Sequence, residues 1–116
     1  MRAEDLKIRT KNFALRIIKL IDRLPKTRAA DVIGRQLLRA ATSIGANYRS
    51  ACRARSRADF VSKISIVEEE ADESVYWLEL LLETKMVASH ELVDLLQEAR
   101  ELTAIFASSG KTAKQK

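Results

Sequence analysis

The amino-acid sequence predicts an all-α fold, an antiparallel up-down-up-down bundle of four helices. Three observations lead there. Four successive stretches repeat apolar residues at i, i+3, i+4 and i+7. The segments between them are short, and short connections set sequential helices antiparallel. Only three glycines, one proline and six aromatic residues occur in the chain, so little in it favours strands and tight turns.

The first helix is expected over residues 4–24. Leu6, Phe13, Ile17, Leu20, Ile21 and Leu24 line one face. Glu4 and Asp5 suit the positive end of the helix dipole. Pro25 ends the helix, because proline disfavours the α conformation in the residue before it. Thr27 is the N-cap expected for the second helix, which runs to residue 53 with Gly45 inside it. A mid-helix glycine costs about 1 kcal/mol relative to alanine and is tolerated where something packs closely against it. At about 100° per residue, Ile33, Leu37, Ala40, Ala41, Ile44, Tyr48, Ala51 and Cys52 share an arc of roughly 120°. Ser56 opens the third helix, with Asp59 in a capping-box position. That helix is expected to reach residue 85, with a stripe of Phe60, Ile64, Val67, Ala71, Val75, Leu78 and Leu82. A second apolar set, Ile66, Tyr76, Trp77 and Leu80, points elsewhere and predicts a subunit interface. The fourth helix starts near Ser89 and Glu91, with Leu92, Leu95, Leu96, Ala99, Leu102 and Phe106 facing inward. Residues 1–107 thus read as one bundle domain, and residues 108–116, polar, basic and broken by Gly110, as a disordered tail.

Apolar residues make up 47% of the chain and charged residues 32%, a globular balance. No stretch approaches the roughly 20 uncharged apolar residues of a membrane span. The first residues are charged and lead straight into an amphipathic pattern, without a signal-peptide core. The expected compartment is the cytoplasm, which the single cysteine suits.

Several chemistries find no support. A ferritin-like di-iron site needs Glu-x-x-His on two helices. The acidic run of Glu68, Glu69, Glu70, Asp72 and Glu73 has no such motif, and the one histidine, His90, sits at a helix start. Cys52 has no sequence-evident base and reads as a small buried apolar group. Gly34, Gly45 and Gly110 are too scattered to cradle a phosphate. No catalytic residue, metal ligand or cofactor is expected, and the chain does not read as an enzyme.

The charges are segregated. Residues 1–58 hold 15 Lys and Arg against 4 Asp and Glu, while residues 59–116 hold 6 against 12. Arg28, Arg35, Arg39, Arg49 and Arg53 share one arc of roughly 80° on the second helix, opposite its apolar face. Arg55 and Arg57 follow at the next connection. Such a face fits phosphate oxygens, because the guanidinium is a planar fork of donors. RNA or DNA is then the expected partner, contacted through its backbone, since this face has almost no aromatic residue to stack on bases. The same arginines could instead pair with the acids of the third helix, within or between subunits, or simply be solvated.

The segment Gln36-Leu37-Leu38-Arg39-Ala40-Ala41-Thr42-Ser43-Ile44 resembles the Q-x-x-R-A-A-x-S-I signature of the four-helix-bundle family named after the 23S rRNA intervening sequence. Asn47 matches the asparagine after that signature, and Ser56, Asp59 and Phe60 match the family's S-x-x-E/D-F start of the third helix. Glu70, Ser74 and Glu79 also fall at family positions. Many relatives read S-N-I-A-E-G where this chain reads Gly45-Ala46-Asn47-Tyr48-Arg49-Ser50, which resembles an arginine-rich sub-branch. The resemblance implies an antiparallel four-helix bundle and a ring-shaped homopentamer. It also implies kinship with the accessory variability determinants of diversity-generating retroelements, basic pentamers that bind nucleic acid. The family name records a gene location rather than a ribosomal function.

Overall fold

Helix boundaries follow from the chemistry at the helix ends. The computed structural model describes residues 1–115, which form α1 (Ala3–Asp22), α2 (Arg28–Ala51), α3 (Arg57–Glu83) and α4 (Ser89–Gln115), with no strand among them. α1 stops two residues before the expected point. The amides of Arg23 and Leu24 turn back to the carbonyls of Leu20 and Ile21, because Pro25 keeps Leu24 from continuing the α geometry. Thr27 caps α2, its hydroxyl accepting from the Ala30 amide at 3.2 Å. Ser56 caps α3 and accepts from the Asp59 amide at 3.0 Å. The Asp59 carboxylate in turn accepts from the Arg55 amide and from Lys63, both at 3.1 Å. These two donors hold its carboxyl below the usual range, the Arg55 amide most strongly.

Consecutive helices pack side by side, and α1 closes the bundle with a lighter contact on α4. The molecule is 46 × 20 × 20 Å. Ion pairs across the seams report the antiparallel sense: Arg9 of α1 meets Glu98 and Glu101, whereas Arg23 meets Glu91. One core fills the middle. Phe13, Ile17, Leu37, Ile44, Ile64, Val67, Leu78, Leu95 and Leu102 are buried, and Phe60, also expected there, is half-buried against them. Gly45 is where α1 and α2 approach: a Cβ on it would lie 3.3 Å from the Thr10 hydroxyl. Thr10 is fully buried, its hydroxyl donating to the Leu6 carbonyl at 2.8 Å.

Two expectations are corrected. The inward line of α3 runs Ala71, Ser74, Leu78, Leu81 rather than through Val75 and Leu82, which are half-buried. Alternating steps of three and four keep a stripe pointed at a neighbour better than successive fours. Ser74 fits because its hydroxyl donates to the Glu70 carbonyl at 2.9 Å. The segment 108–116, expected to be disordered, is instead helical as far as α4 reaches; Lys116 lies outside the described residues. Its stripe continues in small residues. Gly110 is buried with Ile64 at van der Waals distance from where its Cβ would be, and Ser109 satisfies its hydroxyl on the Ile105 carbonyl.

Lys85, just after α3, has a φ of 57°, a left-handed conformation that costs a side-chain-bearing residue. Lys85→Gly should raise stability by about 0.5–1 kcal/mol after allowing for glycine's greater chain entropy. A chemical denaturation curve checks this, and a lowered midpoint would mean that the lysine side chain contributes more than its backbone costs.

Candidate nucleic-acid interface

α2 buries Ala30, Gly34, Leu37, Ala40, Ala41, Ile44, Tyr48 and Ala51. Its opposite arc therefore faces out, and all five arginines of that arc are exposed. Their surroundings differ. Arg39 reaches α3, donating to Glu70 at 3.0 Å and to Glu73. Arg35 pairs with Asp31 one turn earlier at 3.1 Å, both well exposed. Arg28, Arg49 and Arg53 have no ion pair among the described residues, and neither do Arg55 and Arg57, which are also exposed.

The antiparallel register gathers part of this set. The C-terminus of α2, the N-terminus of α3 and the C-terminus of α4 meet at one end of the bundle. Arg57 and Phe60 line a shallow groove there with Ser108, Ser109 and Thr112 of α4. Lys111 and Lys114 line the adjoining groove with Val61, Ser65 and the carboxylate of Glu68. Arg49, Arg53, Arg55 and Arg57 thus share one end with Lys111 and Lys114, and no ion pair involves any of the six among the described residues. On the α1 side of the same end, Arg49 borders a groove with Lys11 and the Lys7–Glu4 ion pair, floored by Ala14, Gly45 and Ala46. Arg28 and Arg35 lie toward the other end: 25 residues separate Arg28 from Arg53, about 37 Å of helix. The seven predicted arginines therefore divide into an end cluster, a distant exposed pair, and Arg39, held by the acids of α3.

Helix dipoles alone do not explain the cluster. Cations belong at helix C-termini, which accounts for Arg49 in the last turn of α2 and Lys114 in that of α4. Arg57 is the first residue of α3, where the dipole disfavours a cation and favours an anion. The lysines of α4 escape sequence reading because they sit in the segment expected to be disordered.

The remaining sequence candidates are placed as follows. Ile66 is 42% exposed and Tyr76 53%, whereas Leu80 and Trp77 are half-buried and Trp77 packs against the core. The Trp77 indole N–H is buried and has no partner among the described residues. Trp77 thus packs partly against the core of its own chain, and Ile66 and Tyr76 are the most exposed of the set. Cys52 is half-buried next to Tyr48, whose phenol is pushed up by burial first and by the neighbouring thiol second. His90 is exposed. Among the described residues, no cluster of three or more His, Cys, Asp or Glu is arranged to hold a metal ion, and no helix is long and apolar enough to cross a membrane.

The family described as 23S rRNA-intervening sequence protein matches residues 4–108. The chain belongs to that family. A crystal structure of a protein with unknown function from the S23 ribosomal protein family of Bacteroides thetaiotaomicron is similar, at 37% identity and a TM-score of 0.86, covering 96% of this chain and 99% of that one. No curated protein matches the chain. The family match ends at residue 108, the first of the segment that extends α4, so Lys111 and Lys114 lie beyond it.

The two kinds of arginine pairing separate in stability. Arg9 is three-quarters buried and makes a forked contact with Glu98, at 2.8 and 2.7 Å, and a third contact with Glu101 at 2.7 Å. These bonds hold its guanidinium still more firmly protonated than usual, Glu98 contributing most. Arg39 is half exposed. Arg9→Gln should cost about 1–2 kcal/mol and Arg39→Gln less than about 1 kcal/mol. Thermal denaturation of both variants checks the order, and a larger loss at Arg39 would reverse it.

Proposed function

We propose that this member of the 23S rRNA-intervening sequence protein family is a non-enzymatic, homo-oligomeric accessory protein that binds the phosphate backbone of RNA or DNA through the cationic end of its bundle. The observation that supports this most is the gathering of Arg49, Arg53, Arg55, Arg57, Lys111 and Lys114 at one end with no carboxylate paired to them among the described residues. These six cations outnumber the acids beside them, Asp59 near Arg55 and Glu68 in the groove of Lys111 and Lys114, so a polyanion gains net attraction there while releasing its own counterions. The charged donors available are guanidinium and ammonium groups, joined by the hydroxyls of Ser108 and Thr112, so recognition is of backbone and shape rather than of bases. Cyclic symmetry would repeat the cluster on every copy, so that weak contacts add through avidity. The resemblance to the accessory variability determinants favours the same reading.

A second reading is a protein–protein scaffold whose arginines are used in ion pairs. Arg39 favours it, because that one arginine of the α2 face meets Glu70 and Glu73.

A salt-titrated binding assay with generic duplex RNA and DNA separates the two. The logarithm of the binding constant should fall linearly with the logarithm of salt, with a slope of about −0.9 per neutralised phosphate on duplex DNA. Replacing Arg49, Arg53 and Arg57 by glutamine should weaken binding roughly uniformly across sequences and flatten the slope by about 3. Arg39→Gln should leave both nearly unchanged. An affinity that survives the triple replacement while the oligomer dissociates would leave the scaffold reading standing.

A further inference from the structure

The cationic end of the bundle holds an aromatic side chain that the α2 arc lacks. Tyr48 and Phe106 are buried there and pack on each other, with ring centroids 5.3 Å apart. Phe60 is different. It stands three residues after Arg57 on α3 and is half-buried: it packs against the core, and it also lines the groove between α3 and α4. The facing wall is made of small residues of α4, namely Ser108, Ser109, Thr112 and Ala113. Spacings of three and four residues set them on one side of that helix. None is long enough to cover the ring, and the groove holds about 500 Å³, the size of a small-ligand cleft.

The polar groups around this groove suit an anion. Arg57 lines it and is exposed. Ser108 and Thr112 are exposed, while Ser109 returns its hydroxyl to the Ile105 carbonyl at 3.0 Å. Among the described residues, no carboxylate lines the groove. Of the acids at this end, Asp59 accepts from the Arg55 amide and from Lys63, and Glu68 lies in the adjoining groove. An open aromatic surface with a guanidinium one turn away matches a ligand that is planar in one part and anionic in the next. A nucleotide has that form, with its base able to stack on an aromatic ring and its phosphate able to meet an arginine. The bases of a duplex are stacked on one another inside the helix, so only an unpaired base can reach Phe60.

We propose that the groove between Phe60 and the last turns of α4 takes an unpaired base, so that the nucleic acid preferred by the cationic end is single-stranded. The inference rests on the polyanion reading of that end and names the form of the polyanion. Arg57 holds the phosphate beside the stacked base, and the other cations of the end hold the strand leading away from it. Stacking tolerates any sequence, because every base has a π-face, so it adds affinity to backbone recognition without adding base readout. From Ser109 on, the α4 wall lies beyond the family match, so the groove belongs to the extension of α4 in this chain.

The test measures binding of the full chain at low salt by fluorescence anisotropy with three labelled probes. These are a short deoxythymidine strand, an abasic strand of the same length, and the duplex of the first with deoxyadenosine. The abasic strand keeps the phosphates and lacks the bases. The wild type should bind the deoxythymidine strand roughly 5- to 100-fold more tightly than the abasic one, the worth of one stacked base. Two variants should each remove most of that preference. Phe60→Leu keeps an apolar side chain against the core and loses the ring. Ala113→Leu leaves Phe60 in place and fills the groove; it lies in the last turns of α4, so it keeps the test available if Phe60→Leu loses helicity by circular dichroism. Neither changes a charge, so binding of the abasic strand and the duplex, and the salt slope of each, should stay as in the wild type. A wild type that binds the two single strands equally, a preference retained in the variants, or an equal loss on all three probes overturns the stacking site and leaves the cationic end as a polyanion surface. Absence of binding to all three probes overturns both readings together.

Discussion

The two-sided character of α2 is the constraint on which the rest of the protein depends. Leu37, Ile44, four alanines and Gly34 of its inner arc must leave water, while an unpaired guanidinium cannot. That conflict leaves one rotation of the helix about its axis. With α2 so turned, its small inner residues let α1 approach closely enough for Gly45 to touch Thr10. α3 is brought up until Arg39 reaches Glu70 and Glu73. The remaining arginines are left on the outside. Core packing and surface charge are thus one decision, made by the same 24 residues.

Most of the fold was legible in the sequence because apolar spacing and caps are local. Thr27 and Ser56 cap where the pattern placed them, and the expected inward stripes are buried except at their edges, where Ile21, Leu24, Ile33, Cys52, Phe60, Val75 and Leu82 are half-buried. What escaped was polar or small. Thr10 and Ser74 are buried polar residues that a hydrophobic pattern passes over; both return their hydroxyls to a carbonyl one turn earlier, a bond invisible in composition. The last turns of α4 read as tail because glycine and serine signal a break. Against α3, Gly110 is a packing position, and a helix held by tertiary contacts tolerates poor local propensity.

The site was legible only as a direction. The segregation of charge between the halves of the chain and the arginine arc pointed to a polyanion, but they treated seven arginines as one strip. Folding divides them: Arg39 is drawn to α3, Arg28 and Arg35 stay at the far end, and Arg49, Arg53, Arg55 and Arg57 are joined by lysines more than fifty residues away in sequence. Only the antiparallel register creates that neighbourhood.

Mapping where a nucleic acid touches the protein tests the central claim, that the cationic end of the bundle and not the length of α2 is the binding surface. Backbone amide shifts followed by NMR during titration of a short generic RNA duplex at low salt give that map directly. The account predicts that the amides of residues 49–57 and 108–115 shift together, while those near Arg28 and Arg35 and along the acidic outer face of α3 stay in place. Shifts spread evenly along α2, or confined to the opposite end, would contradict it.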